Sequence, residues 1–249
     1  MTNEKLTSPL LALRGILVYP TVVLHLDVGR EKSIASLEAA MMGDQTIILT
    51  SQKEVAVEDP KPEEIYRIGT LAKINQMLKL PNGTIRVLVE GLERVEIIEY
   101  VDKDKQYEVT YKKITEKRGD AYEEEALMRQ LITQFEQYIK LTRKNKKDTS
   151  ATVADIEDPS RLTFMIASHL PIKIKAKQKI LEFDDVIERM KHLLNILSNE
   201  KKVLNLEKKI GKRVQTSMEQ TQKEYYLREQ MKAIQKELGE TDGKLTEVG

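Results

Sequence analysis

One long stretch near the carboxyl end constrains the fold of this chain most. Residues 199–239 contain no proline, and Gly211 is the only glycine before the final position of that stretch. Strong helix formers fill almost every other position, so we predict one long helix or two nearly continuous ones. The heptad positions are apolar at both ends and polar between residues 213 and 224. This pattern is typical of a stem that separates two bodies.

The distribution of glycine divides the rest of the chain. Most glycines lie before residue 120, and from there to Gly239 only Gly211 remains. The shift predicts a turn-rich β body followed by a helical one, an α+β fold. We place the β-rich lobe at residues 1–118, the helical lobe at 119–200 and the stem at 201–249. Several short strands with one helix favour a small, partly closed barrel or a sandwich for the first lobe.

The clearest local signal is a hairpin around Pro81-Asn82-Gly83. Asn-Gly is the strongest short cue for a two-residue hairpin loop, and such a loop fixes the register of the strands beside it. This register pairs Met77 with Leu88 on the polar face, opposite the core. The sequence therefore predicts that Met77 and Leu88 form an apolar pair on a sheet face that is otherwise polar.

Helix signals dominate the second half of the chain. Residues 121–142 carry apolar side chains at helical spacing, and Asp158-Pro159 combines a capping aspartate with a proline at the first helical position. That helix is expected to stop before Pro171. Two further helices are predicted at 176–183 and 184–197.

Composition limits the classes of partner. Lysine plus arginine number 41 and aspartate plus glutamate 40, so the molecule has no large net field to attract a polyanion. The chain has no cysteine, which excludes disulfides and thiolate metal sites and fits a reducing, cytoplasmic setting. No window approaches 18 consecutive apolar residues, so we expect no membrane partner.

Catalytic and metal-binding patterns are missing from the sequence. His25, His169 and His192 have no metal-ligand spacing, and we interpret each as structural. Gly211-Lys212 resembles the end of a phosphate loop but lacks the upstream glycine and the preceding strand. We therefore assign no catalytic residue, no metal site and no cofactor to these residues.

A basic run at residues 201–213 raises the alternative of a nucleic-acid-binding module that uses the stem. Glu207 interrupts the run, and no aromatic residue interleaves with it to stack on bases. We favour a solvated face of the stem, because charge runs on helices usually serve that role.

Two interpretations remain open for Met77 and Leu88. The helical lobe could cover them as interdomain core, since large exposed apolar patches are uncommon on monomers. They could instead bind extended apolar segments of other proteins, a task that suits the flexible, polarisable side chain of methionine. Met218 raises the same question in the polar middle of the stem, where it could meet another subunit or a passing chain.

Four blocks of sequence, in this order, resemble the amino-terminal region of Lon-type ATP-dependent proteases: LLALRGILVYPTVVLHLDVGREKSI, AKINQMLKLPNGTIRVLVEGLERV, DPSRLTFMIASHLPIKIKAKQKILE and QKEYYLREQMKAIQKELGE. The resemblance spans residues 9–240. It implies a pseudo-barrel lobe, a helical lobe and a long helix leading into an ATPase module and a protease with a Ser–Lys dyad. This sequence contains neither a Walker A motif nor a catalytic serine block, so the chain looks like the amino-terminal portion of such a protein.

The resemblance also implies partners and cofactors. Members of the family assemble as hexamers, degrade unfolded, damaged and some regulatory proteins in the cytoplasm of bacteria or in mitochondria, and use ATP and Mg²⁺ in the ATPase module. We therefore expect Met77, Leu88 and Met218 to contact unfolded substrate proteins. The second apolar end of the stem is expected to pack on the ATPase module or on a neighbouring subunit through Leu227, Met231, Ile234 and Leu238.

Overall fold

The computed structural model describes residues 6–102, 104–142 and 153–244. The chain divides into two compact units, Met1–Ser198 and Asn199–Gly249. The strands are β1 (Leu6–Leu13), β2 (Val23–Val28), β3 (Thr46–Ser51), β4 (Ile68–Lys79), β5 (Ile85–Asp102) and β6 (Tyr107–Lys113). The described helices are α1 (Glu31–Met42), α2 (Ala121–Leu141), α3 (Pro159–His169), α4 (Ile174–Glu182) and α5 (Val186–Lys244), and a short 3-10 turn lies at Pro62–Glu64.

The six strands form one sheet that closes on itself in part. Their order is β2-β5-β4-β3-β1-β6, and β5 also pairs with β6, so five strands make a ring while β2 attaches to β5. β1 and β3 run parallel, and the other pairs are antiparallel. The α+β class and the partly closed barrel predicted from the sequence are confirmed.

Apolar side chains on both faces of β1 and β3 build two cores. Leu11 and Leu13 belong to the cluster shared with β2 and α1, whereas Leu10 and Ala12 face the cluster shared with β6. A strand buried on both faces reads as a continuous apolar run, which the Leu-Leu-Ala-Leu sequence shows. β2 follows the other pattern, since Leu26 and Val28 are buried while the alternate residues are exposed.

β5 is one continuous strand of 18 residues, where the sequence pattern predicts two strands, at residues 84–90 and 94–100. Gly91 lies within the ladder, opposite Ala72, and the backbone of Tyr19 passes directly over it. A Cβ atom on Gly91 would clash with the carbonyl oxygen of Tyr19. The glycine is therefore needed for a close backbone approach and does not end the strand.

Capping residues fix the starts of the helices that follow. The Asp120 carboxylate accepts hydrogen bonds from the backbone N–H groups of Tyr122 and Glu123 and begins α2. Asp158 accepts from the N–H of Arg161, with Pro159 at the first helical position of α3, as the sequence predicts. The helix predicted at 184–197 and the stem helix form one element, α5, which is helical through Gly211.

Candidate functional site

The hairpin between β4 and β5 closes through three residues and not two. The Leu80 N–H donates to the carbonyl of Thr84 (2.8 Å), and the Gly83 N–H donates to the carbonyl of Leu80 (3.0 Å). Pro81 suits the first central position of a type I turn, and Gly83, with a φ of 83°, supplies the left-handed residue that follows it. The predicted two-residue Asn-Gly loop was wrong because the proline belongs to the loop.

The longer loop shifts the register by one residue and reverses the face of each β4 side chain near the turn. Met77 lies opposite Val87, on the inner face, and is half-buried against the first core. Leu88 lies opposite Gln76 and His25 on the other face. The predicted Met77–Leu88 pair was therefore wrong. The binding roles assigned to the two residues stay predictions.

Leu78 takes the place that the sequence assigned to Met77. We define the outer face as the solvent side of β2, β5 and β4 near the hairpin. Its apolar members are Leu78, 56% exposed, Val23, 54% exposed, and the half-buried Leu88. Leu88 is the diagonal cross-strand neighbour of Val23 on β2 and of Leu78 on β4. Long side chains can interact across a sheet at this spacing. Three apolar side chains therefore share one solvated surface.

One ion pair borders this apolar group. The Arg86 Nε donates to Asp27 Oδ1 (2.7 Å) and the Nη2 donates to Oδ2 (2.9 Å). The hydrogen bond from Arg86 lowers the pKa of Asp27 from its ordinary value. Both groups are open to solvent, so the pair adds little stability, and each of its two charges is matched by the other.

The stem presents a second set of apolar side chains. Met218 is 60% exposed, and so is Met231. Ile210, Val214 and Met218 follow one another at i, i+4 spacing, so Met218 belongs to an apolar strip along the middle of the stem. The heptad positions used for the sequence prediction passed over Val214, although its i, i+4 spacing was a usable signal. The predicted packing residues Leu227, Ile234 and Leu238 are also exposed. Their roles stay predictions.

A polar cluster built around two buried arginines, which the sequence did not predict, joins the strands to the helices in the first unit. Glu116 accepts from the fully buried Arg189 (Nη2 to Oε1, 2.7 Å) and lies 3.5 Å from Nε of Arg94. Arg94 also contacts Asp184 (3.1 Å), and the Arg189 guanidinium lies 4.5 Å from the centre of the Phe164 ring. Burial lowers the pKa of Arg189, and Glu116 opposes that shift. The cluster fixes strand β5 against α3 and α5.

The histidines have structural surroundings. The His169 ring lies 2.8 Å (Nδ1) from the carbonyl of Met165, and His192 packs on Phe183 with ring centres 5.1 Å apart. His25 is exposed on the outer face. Across the described ranges, no group of three or more histidine, cysteine, aspartate or glutamate side chains is placed to hold a metal ion.

None of the helices within the described residues is both long and apolar enough to span a membrane.

A family model described as the substrate-binding domain of ATP-dependent protease La (LON) matches residues 7–199. The chain belongs to the Lon protease family. It is 60% identical over 246 residues to the Lon protease of Brevibacillus choshinensis, covering 99% of this chain and 32% of that protein. It is 55% identical to Lon protease 1 of Bacillus subtilis, covering 98% of this chain and 32% of that protein. It is 46% identical to the Lon protease of Escherichia coli, covering 96% of this chain and 31% of that protein. The chain thus spans about a third of these Lon proteases.

Solved structures of Lon amino-terminal domains share the fold. The amino-terminal domain of Mycobacterium avium complex Lon protease matches with a TM-score of 0.64 at 21% identity, covering 77% of this chain and 98% of that one. The Lon N-terminal domain protein from Xanthomonas campestris matches with a TM-score of 0.55 at 14% identity, over 76% of this chain and 98% of that one. The resemblance to Lon proteases drawn from the four sequence blocks is confirmed.

Proposed function

We propose that this chain is the substrate-recognition and assembly region of an ATP-dependent serine protease of the Lon type, and that its outer face binds exposed apolar segments of unfolded proteins. The family match to a substrate-binding domain supports recognition of protein substrates in general. The observation that carries the finer proposal is the group of Val23, Leu78 and Leu88 on a solvated face. Unfolded proteins differ from folded ones mainly in the apolar segments that they expose.

The character of this surface suits weak and adaptable binding. Three aliphatic side chains on a regular sheet offer contact area without a deep pocket, and the neighbouring ion pair of Arg86 and Asp27 is internally neutral. Such a surface selects apolar character and not one particular sequence. It also releases its ligand easily, which a protease needs in order to pass substrate onward.

The remaining parts of the proposal concern the protein of which this region is a part. We assign ATP, Mg²⁺ and the Ser–Lys dyad to the ATPase and protease modules that the family resemblance implies. We place the full protein in the bacterial cytoplasm as a hexamer. The apolar end of the stem, Leu227, Met231, Ile234 and Leu238, would pack in that assembly, and Met218 would contact substrate that passes along the stem.

The experiment is binding of a fluorescently labelled, permanently unfolded protein to this chain, measured by anisotropy across a series of salt concentrations. Apolar recognition predicts an affinity that changes little with salt. A steep loss with salt would indicate charge-driven contacts instead, and a parallel titration with single-stranded RNA tests the alternative that the basic stem binds nucleic acid. Absence of binding at every salt concentration would contradict the proposal.

Met218 has its own test in the same assay. Met218→Glu places a charge in the strip that it shares with Ile210 and Val214, and we expect weaker binding of the unfolded protein. Gln215→Glu is the matched control, because it adds the same charge to the same turn of the stem. Equal affinities of the two variants would show that Met218 is ordinary surface.

A further inference from the structure

β2 is an edge strand with an unpaired side. In the described part of the chain it pairs with β5 alone, from Val23 opposite Glu90 to Val28 opposite Ile85. The Gly91 N–H donates to the carbonyl of Val22 (3.0 Å), so the even-numbered residues direct their backbone groups to β5. Because these groups alternate along a strand, those of Val23, His25 and Asp27 point away from the sheet.

This edge lacks the usual protection against strand pairing. Natural proteins block exposed edges with lysine, proline, a bulge or a covering segment. β2 contains no lysine or proline, and its register with β5 is uninterrupted. Its one charged residue, Asp27, is already held by Arg86. The strand is therefore a regular template for another extended chain.

An open groove lies beside the edge. From Leu11 to Leu13, β1 is paired with β3 but extends past the end of its pairing with β6 at Leu10. A cavity of about 250 Å³ separates this part of β1 from the end of β2, and its apolar lining comes from Leu11, Leu13, Ile16, Leu26 and Val28. The first unit thus places an unpaired strand edge next to a groove whose lining is partly apolar and partly polar.

Two guanidinium groups lie at the same groove. Arg30 donates to the carbonyl of Ala12, to Gln52 Oε1 and to the carbonyl of Glu58, and Arg14 donates to the carbonyl of Val57. All four acceptors are neutral, and neither arginine forms an ion pair with a carboxylate of the described residues. The nearby Asp27 and Asp59 are bound by Arg86 and Lys32. The groove therefore favours a ligand that brings a carboxylate.

We propose that the edge of β2 and the groove beside it bind an extended segment of unfolded polypeptide by strand addition, with apolar side chains in the groove and an acidic side chain at Arg14 and Arg30. Backbone hydrogen bonds supply sequence-independent affinity, and alternate side chains supply selectivity. This proposal rests on the proposed function and names a second, backbone-directed site for it. The outer face contacts apolar side chains of the substrate, whereas this edge forms hydrogen bonds with the extended backbone of the substrate.

The probe is a short labelled peptide that alternates valine with threonine and carries one glutamate near one end. It is compared with the same peptide methylated on alternate backbone nitrogens and with one in which lysine replaces the glutamate. Methylation removes the donors of one edge and leaves the side chains in place. We expect methylation to weaken binding about tenfold, because more than one backbone hydrogen bond is lost. We expect the lysine peptide to bind at least about threefold more weakly than the glutamate peptide.

The protein variants are His25→Pro and its control His25→Ala. Proline at this position removes an N–H that points away from β5, so the β2–β5 ladder keeps its bonds. We expect His25→Pro to lose peptide binding about tenfold and His25→Ala to stay within about twofold of the parent chain. Circular dichroism and thermal unfolding establish that both variants are folded. If His25→Pro does not fold, the methylated peptide on the parent chain decides the question.

Three outcomes overturn the proposal in distinguishable ways. Equal affinities of the methylated and parent peptides, while the unfolded protein still binds, would remove strand addition and leave the proposed function standing. Failure of both peptide and unfolded protein to bind the parent chain would remove both proposals. A concentration-dependent dimer in sedimentation that His25→Pro abolishes and the peptide displaces would assign the edge to a second copy of this chain.

Discussion

The same helical pattern of apolar residues occurs in α2 and in the stem, with opposite results. In α2, Leu131, Phe135 and Ile139 are all buried, the first two completely. In the stem, the exposed fractions of Leu227, Ile234 and Leu238 lie between 48% and 62%. An apolar stripe therefore indicates that one face of a helix can pack against a partner. Whether that partner lies in the same chain depends on the elements around it.

The largest difference between the two units is expected for a buried and an exposed arginine. Arg189→Ala removes the fully buried guanidinium that pairs with Glu116, and we expect the free energy of unfolding to fall by about 3–5 kcal/mol. The matched stem variant is Arg213→Ala, at an exposed position. It should change stability by less than about 0.5 kcal/mol. Urea unfolding followed by circular dichroism measures both, and equal losses would contradict the contrast.

Two glycines provide the next comparison, with opposite signs. Gly91→Ala forces a Cβ atom against the backbone of Tyr19, and we expect a loss of about 2–3 kcal/mol. Gly211→Ala in the stem meets no atom within 4 Å and improves helix propensity, so we expect a gain of up to about 1 kcal/mol in helix stability. The gain would appear as a higher melting temperature of the helical circular dichroism signal. A destabilised Gly211→Ala would mean that the stem has packing that the fold does not show.

The dependence of stability on pH should also differ between the two units. Glu124 is buried, and it accepts hydrogen bonds from Arg118 (Nε, 2.9 Å) and from the N–H of Gly119 (2.9 Å). The bond from Arg118 lowers the pKa of Glu124 below its ordinary value of 4.5. A lowered folded-state pKa gives stability that is present above 4.5 and is lost as pH falls through the folded pKa.

Glu124→Gln therefore loses about 1–2 kcal/mol of stability at neutral pH, and its stability declines less on acidification than that of the parent chain. The exposed stem variant Glu219→Gln is the control. Its unfolding curve should follow that of the parent chain. Parallel acid profiles of Glu124→Gln and the parent chain would show that Glu124 does not contribute in this way.

The smallest effect compares two neighbours in β4. Met77→Ser removes a side chain that is half-buried against the core, and we expect a loss of about 1 kcal/mol. Leu78→Ser alters an exposed side chain and should change stability by less than about 0.5 kcal/mol. Thermal unfolding of the two variants tests the register of the hairpin, and the reverse order would favour the two-residue loop.

Local signals in the sequence predicted the elements well. Alternating polarity over residues 22–28 predicts β2, Asp158-Pro159 predicts the start of α3, and Gly43 predicts the end of α1. Each of these signals acts through neighbours in sequence, and the structure confirms all three. The register of the hairpin was wrong because Pro81 and Asn82-Gly83 favour turns of different lengths. Only the packing of Val87 and Met77 against the core shows which turn forms.

Contacts between distant residues were beyond the reach of the sequence. Gly91 appeared to end a strand because the passage of Tyr19 over it is a tertiary feature. Arg94, Glu116 and Arg189 come from three separate segments, and each alone reads as an ordinary surface charge. A two-residue hairpin loop would place Leu78 opposite Val87 in the core, and the observed register, shifted by one residue, places Leu78 on the exposed face instead.

The central claim is that the outer face of the first unit recognises unfolded protein while the apolar end of the stem does not. The most direct measurement is the affinity of a labelled unfolded protein for Leu78→Ser/Leu88→Ser and for Leu227→Ser/Ile234→Ser, each in the full chain. We predict that the first variant binds about tenfold more weakly with its fold intact, and that the second binds like the parent chain. Equal affinity of the first variant and the parent, or a loss confined to the stem variant, would contradict the claim.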